Sequence, residues 1–202
     1  MRHLLAALLI WIAGSAAAQL TFPALYKVYG VAEGDVLNVR QEPNAQAPII
    51  GALTPDARNV EVVRANPAGT WGLVNTGERS GWVSLRYMRL QYRGSTLDFR
   101  NVRSCFGTEP FWRILFKDRT NGVFDSPKET FNLGLSPPAA TVDPNYDGAI
   151  MGQSSNGQIL VVLIDRRACG DGMSDRSYGF HTDVLISGTK TDRLTGCCTI
   201  AP

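Results

Sequence analysis

Two adjacent cysteines, Cys197 and Cys198, limit what this chain can fold into more than any other feature. Consecutive Cα atoms sit about 3.8 Å apart, below the usual disulfide span, so a bridge between the two is disfavoured. The remaining cysteines are Cys105 and Cys169. Two pairings follow: Cys105–Cys198 with Cys169–Cys197, or Cys105–Cys197 with Cys169–Cys198. Neighbouring side chains on a strand point to opposite faces, so the vicinal pair can staple two different segments to one strand. Each bridge contributes on the order of 2–4 kcal/mol, which suits a small β domain with a modest core. A zinc site is not expected, because there is no C-x-x-C spacing and vicinal cysteines chelate one ion poorly.

Disulfides need an oxidising compartment, and the N-terminus supplies a route to one. Met1-Arg2-His3 is a basic head, Leu4 to Ala13 is apolar, and Ala16-Ala17-Ala18 offers small residues for cleavage. Residues 1–18 are predicted to be a signal peptide, with Gln19 as the mature start. The apolar run falls short of the roughly 20 residues that span hydrocarbon, and no later run is comparable. A periplasmic or secreted protein is expected, with no stable membrane insertion after signal removal. The 20 Lys and Arg against 18 Asp and Glu give a formal charge of +2, which argues against nucleic acid as a partner. Of the 2 histidines, His3 lies in the signal, and His181 alone cannot build a multi-histidine metal centre. No metal or other cofactor is expected.

The first half of the mature chain reads as short strands separated by turn clusters. The runs are Val36 to Val39, Ile49 to Leu53, Val60 to Val63, Trp71 to Val74 and Gly81 to Val83. Between them stand Glu42-Pro43-Asn44, Thr54-Pro55-Asp56, Asn66-Pro67-Ala68-Gly69 and Asn75-Thr76-Gly77. Such spacing predicts a small all-β barrel, with Val39, Ile50, Val62, Val74 and Val83 facing its core. The landmarks Asn38-Val39-Arg40 with Pro43, Ile50-Gly51, Trp71 with Val74, Gly81-Trp82-Val83 and Tyr87-Met88 occur in the order of the bacterial SH3-like domain, which residues 19–90 resemble. The resemblance implies a barrel used as an accessory module for peptidoglycan or peptides. Trp71, Trp82 and Tyr87 are its candidate ligand-binding aromatics. The sequence departs from the family at Trp71-Gly72, where an aromatic commonly follows the Trp, and at Pro55 to Asn59, where a Lys-Gly is usual.

Residues 91–104, centred on Gly94-Ser95-Thr96, read as a linker. From there to 202 the strand runs are Phe111 to Phe116, Glu129 to Leu133, Gln158 to Ile164, Tyr178 to Ser187 and Arg193 to Ile200, with Asn156-Gly157 the best hairpin signal. A second small antiparallel β-barrel or β-sandwich stapled by disulfides is predicted, so the fold class is all-β throughout. Gly107 to Trp112 (G-x-E-P-F-W), Cys169 to Asp175 and Leu194-Thr195-Gly196-Cys197 resemble a family of small exported bacterial β-proteins of unknown activity. Its L-x-G-C mark associates Cys197 with Cys169, which implies the pairing Cys105–Cys198 with Cys169–Cys197.

Candidate chemistry is sparse. Asp143-Pro144-Asn145-Tyr146-Asp147-Gly148 matches the first half of a calcium loop, but Ser154 stands at the twelfth position in place of Glu, so a solvated turn is expected. Asp171 and Asp175 read as caps of backbone amides in a Gly-flanked loop. Glu109, beside Phe111 and Trp112, reads as a structural hydrogen-bonding group, with a general acid as the alternative. No catalytic residue is assigned. The alternative to a non-enzymatic binding protein is a cysteine-dependent cell-wall enzyme resembling L,D-transpeptidases, with Cys197 as nucleophile and His181 as base. Reduction of the bridges is expected to loosen residues 105–202 while the cysteine-free first domain keeps its protection.

Overall fold

A computed structural model describes residues 22–91, 101–139, 146–188 and 191–202. The predicted signal peptide, the centre of the predicted linker and Asp143-Pro144-Asn145 of the calcium-loop-like turn lie outside these residues. The described chain is predominantly β, with a 3-10 turn at Leu85–Tyr87. Among the described residues, no helix is long and apolar enough to cross a membrane.

The first unit contains β1 (Ala24–Val28), β2 (Leu37–Arg40), β3 (Ile49–Leu53), β4 (Val60–Val62), β5 (Arg64–Ala65), β6 (Trp71–Thr76), β7 (Arg79–Ser84) and β8 (Met88–Leu90). They form two sheets, β4-β1-β8 and β3-β2-β7-β6-β5. The chain crosses between the sheets at Val63, whose N–H donates to Leu73 O at 2.8 Å. Val39, Val62, Val74 and Val83 are fully buried between the sheets, as strand alternation predicts, while Ile50 is partly buried against them. Gly72 and Gly81 lie on this inward face because a Cβ there would come 2.7 Å from Val62 and 2.5 Å from Val39 respectively. The glycine after Trp71 is thus a packing requirement, and the alternation of β6 leaves Trp71 on the opposite face.

The second unit contains β9 (Ser104–Thr108), β10 (Phe111–Phe116), β11 (Asn121–Asp125), β12 (Thr130–Leu135), β13 (Gly148–Ser154), β14 (Ile159–Asp165), β15 (Phe180–Ser187) and β16 (Thr191–Thr199). Each pairs antiparallel with the next, and β16 returns to β9, so the meander closes into a barrel. Residues 101–104, read as linker, are already part of this unit. Val102 is buried, and Arg103 N–H donates to Thr199 O at 2.8 Å. The interior is filled by Ile114, Leu160, Val162, Ile164, Phe180 and Val184, with Thr182 donating its hydroxyl to Leu163 O at 2.8 Å. Trp112 is 4% exposed and lies against two glycines, its register partner Gly107 on β9 and Gly196 on β16, the next strand over. A Cβ on Gly107 would collide with the indole Nε1, and one on Gly196 would come 2.9 Å from the indole Cζ2. Two of the marked glycines therefore make room for the marked tryptophan.

The disulfides are Cys105–Cys198 and Cys169–Cys197, and no cysteine is free. Cys105 and Cys198 are register partners on the strand pair that closes the barrel, and both face the interior. Cys197 faces outward and ties down the loop 166–179. Two disulfides without a free thiol are the pattern of an oxidising, extracytoplasmic environment.

That loop joins the two units. On the barrel side, Thr108 Oγ1 donates to Asp171 O at 2.7 Å, and Tyr178 meets Phe106 edge to face with centroids 5.0 Å apart. On the other side it pairs with the β6–β7 hairpin. Asp175 N–H donates to Glu78 O at 2.9 Å, and Ser80 N–H donates to Asp175 O at 3.0 Å. Ser177 N–H reaches Ser80 Oγ at 2.8 Å, and Asn75 Nδ2 returns a bond to Ser177 O at 3.0 Å. Pro23 packs on Gly179, where a Cβ would come 2.9 Å from its Cγ. Because these contacts hang on a loop held by Cys169–Cys197, reduction should reach into the cysteine-free unit. In hydrogen exchange with and without reductant, the Ser80 amide is expected to lose protection together with residues 166–179 while Val74 and Val83 keep theirs. A Ser80 amide indifferent to reductant would show that docking does not need the bridge.

A buried acid lies at the same junction. Glu61 is 7% exposed, accepts the Thr199 hydroxyl at Oε2, and has no partner at Oε1. Burial pushes its carboxyl up to about 7, against the lowering effect of the Thr199 hydroxyl and the Ala201 and Ile200 amides. The folded state therefore holds this proton more tightly than the unfolded chain. The associated stability is fully present below about pH 4.5 and is lost as pH rises to about 7. The decline is expected to amount to about 3 kcal/mol. Glu61→Gln should flatten it, as measured by denaturant unfolding at several pH values.

Candidate functional site

Trp71 and Tyr87 meet at one groove of the first unit. Asn66 sets the entry of β6: its Oδ1 accepts the N–H groups of Thr70 and Trp71, each at 2.9 Å, closing the turn that Gly69 completes at φ +67°. Trp71 then emerges on the outer face of β6 and Tyr87 at the end of the 3-10 turn, both half-buried. The groove they flank has a volume of about 510 Å³, and Asp35, Asn38, Arg40 and Arg86 complete its polar lining. Arg40 is fixed in place, donating from Nη1 to Ala47 O at 2.7 Å. Arg86 holds its guanidinium 5.7 Å from the Tyr87 ring centroid. One carboxylate and two guanidiniums beside two amphipathic rings suit an extended ligand that carries charges of both signs.

Trp82 does not join this groove. It pairs with Leu73 across β6–β7, and the Arg64 guanidinium covers its ring at 4.8 Å. The three aromatics thus divide into a pair at the groove and one under an arginine. Asp35 and Arg86 were not singled out from sequence, since isolated charged residues carry no periodic signal, and Arg40 was read there as part of the Asn38-Val39-Arg40 landmark and not as a ligand-binding residue.

The marked segments of the second unit converge on another cleft, of about 740 Å³, between the β9–β10 turn, the 170–173 loop and β16. Glu109 is exposed in that turn, beside Phe111 at 53% and opposite Met173 at 68% exposure. Asp171 is a cap: Oδ1 accepts the Met173 and Ser174 N–H groups at 3.0 and 2.8 Å, and Oδ2 accepts the Ser174 hydroxyl at 2.8 Å. Partial burial acts to raise its carboxyl, but these bonds prevail and hold it below the usual range.

His181 and Cys197 are cross-strand partners on β15 and β16, but Cys197 is bonded to Cys169 and presents no thiolate. His181 instead ends a polar chain. Arg167 bonds Asp165 Oδ2 through Nε at 3.1 Å and His181 Nδ1 through Nη2 at 2.6 Å. A guanidinium only donates, so Nδ1 accepts and the ring proton resides on Nε2. Among the described residues, no group of three or more His, Cys, Asp or Glu could hold a metal. Of the calcium-loop-like turn, Tyr146 donates its hydroxyl to Asp183 Oδ2 at 3.0 Å, and Asp147 N–H bonds Ile164 O at 2.8 Å.

No protein-family model matches the chain, and neither does any curated protein or solved structure. Function is therefore read from the clefts themselves. Burial first, and Arg167 second, hold His181 below its ordinary pKa, which keeps the ring neutral at pH 7. Arg167→Gln should raise that pKa, as followed by NMR titration of the imidazole protons. An unchanged titration would show that burial, with the charge of Arg193, accounts for the lowering without Arg167.

Proposed function

We propose that this chain is an exported, non-enzymatic binding protein of the bacterial cell envelope, periplasmic or secreted. Its first unit acts as a bacterial SH3-like module that takes peptidoglycan, through its stem peptide, in the Trp71–Tyr87 groove. The observation that carries the reading is the lining of that groove: two half-buried aromatics together with one carboxylate, Asp35, and two guanidiniums, Arg40 and Arg86. A stem peptide is extended and bears both carboxylate and ammonium groups, and stacking on rings tolerates its unusual stereochemistry. The disulfide pattern supports the compartment. A non-enzymatic role is supported by Cys197, the one nucleophile with a facing histidine, being held in a bond to Cys169.

The test is co-sedimentation of the purified protein with purified peptidoglycan, alongside Trp71→Ala, Tyr87→Ala and Trp82→Ala variants whose folding is checked by circular dichroism. The first two are expected to weaken binding at least about tenfold, and Trp82→Ala to leave it within about twofold. Absence of binding by the folded parent protein would sink the reading.

A further inference from the structure

We infer that the cleft between the two units is a binding site for a compact dianionic oxyanion, separate from the Trp71–Tyr87 groove. The cleft has a volume of about 500 Å³ and is lined by Arg64 from the first unit and by Arg166, Arg167 and Arg176 from the second, with no carboxylate in its lining. Two of these arginines are already neutralised. Arg167 pairs with Asp165 at 3.1 Å, and Arg176 with Glu78 at 3.3 Å while its Nε donates to Gly77 O at 2.7 Å.

The other two are not. Among the described residues, Arg64 and Arg166 have no carboxylate partner, and each is held against a ring: Arg64 4.8 Å from the Trp82 centroid, Arg166 5.6 Å from that of Phe180. The edge of a guanidinium offers paired hydrogen bonds in its own plane, the geometry that carboxylate and phosphate oxygens match. Arg166 adds a sharper sign. Its Nε is buried and has no hydrogen-bond partner. Buried donors are nearly always satisfied, so Arg166 brings to the lining of the cleft a guanidinium that the protein's own acceptors do not complete. Two unpaired guanidiniums call for two negative charges, and the volume suits a phosphomonoester or a small dicarboxylate, not a polymer.

The site is also conditional on docking, because Arg64 and Arg166 come from different units. An oxyanion bound there would tie the units together. The test is titration of the whole protein with inorganic phosphate and, separately, with succinate at constant ionic strength, following the Arg166 Nε–H resonance and the melting temperature. Saturable movement of that resonance with a rise in melting temperature is expected for at least one of the two anions. Saturation by phosphate alone assigns a phosphomonoester-like ligand; saturation by succinate assigns a carboxylate. Arg64→Gln, at an exposed position, should weaken binding at least about tenfold, and Arg119→Gln in the β10–β11 turn should leave it unchanged. No saturation by either anion, or equal weakening in both variants, overturns the inference.

Discussion

The covalent tie from Cys197 to Cys169 holds an irregular loop against the barrel wall, and the contacts that join the second unit to the β6–β7 hairpin hang from that loop. Residues 166–179 have little regular structure of their own. They are ordered because each side offers backbone partners: Thr108 on the barrel, and Glu78 and Ser80 on the β6–β7 hairpin. The loop thus lends an edge to the hairpin, satisfying amides that a sheet edge would otherwise leave to solvent. Cys169–Cys197 limits how far the loop can wander before it docks, which reduces the entropy lost on docking. The position of the arginine cleft follows, since three of its four guanidiniums ride on this one segment.

The two bridges do different work although their cysteines are neighbours. Strand alternation sends Cys198 into the barrel and Cys197 out of it. One seals the pair of strands that closes the barrel; the other fastens something to its outside. The same alternation explains why the marked tryptophan and glycines belong to packing. Trp112 points inward between Gly107 and Gly196, whereas Phe111, one residue earlier, is left in solvent beside Met173.

Much of the fold was legible in the sequence. Strands β3 and β10 have the bounds read from their β-branched and aromatic runs, and the all-β class followed from such short runs punctuated by turn clusters. Strands β9, β11 and β13 were not read, because each contains glycine and few β-branched residues; Gly152 of β13 faces Leu133 at a distance that leaves no room for more. The geometry of vicinal cysteines left two pairings open, and the register of β16 on β9 places Cys198 opposite Cys105. The groove was half legible: the aromatics stood out, but Trp82 was grouped with them because outward direction on a sheet does not say which outward surface. The junction was not legible at all. Its contacts are hydrogen bonds between residues about a hundred positions apart, and in most of them at least one partner is a main-chain atom, which leaves no trace in residue type. Glu61 shows the same blindness, since its burial comes from the end of the other unit, not from its own strand.

The closing of β16 on β9 also sets an order of events in time. A meander in which every strand joins its sequence neighbour can grow hairpin by hairpin, but its seam unites the first strand with the last. Until β16 has been made, β9 has one neighbour and an open edge, and the Cys105 thiol waits without its partner. During that interval Cys169 is the one other cysteine present, and it belongs on the outside of the wall. This barrel is therefore most exposed to wrong pairing just before it is complete, and its seam strand is the last to find shelter.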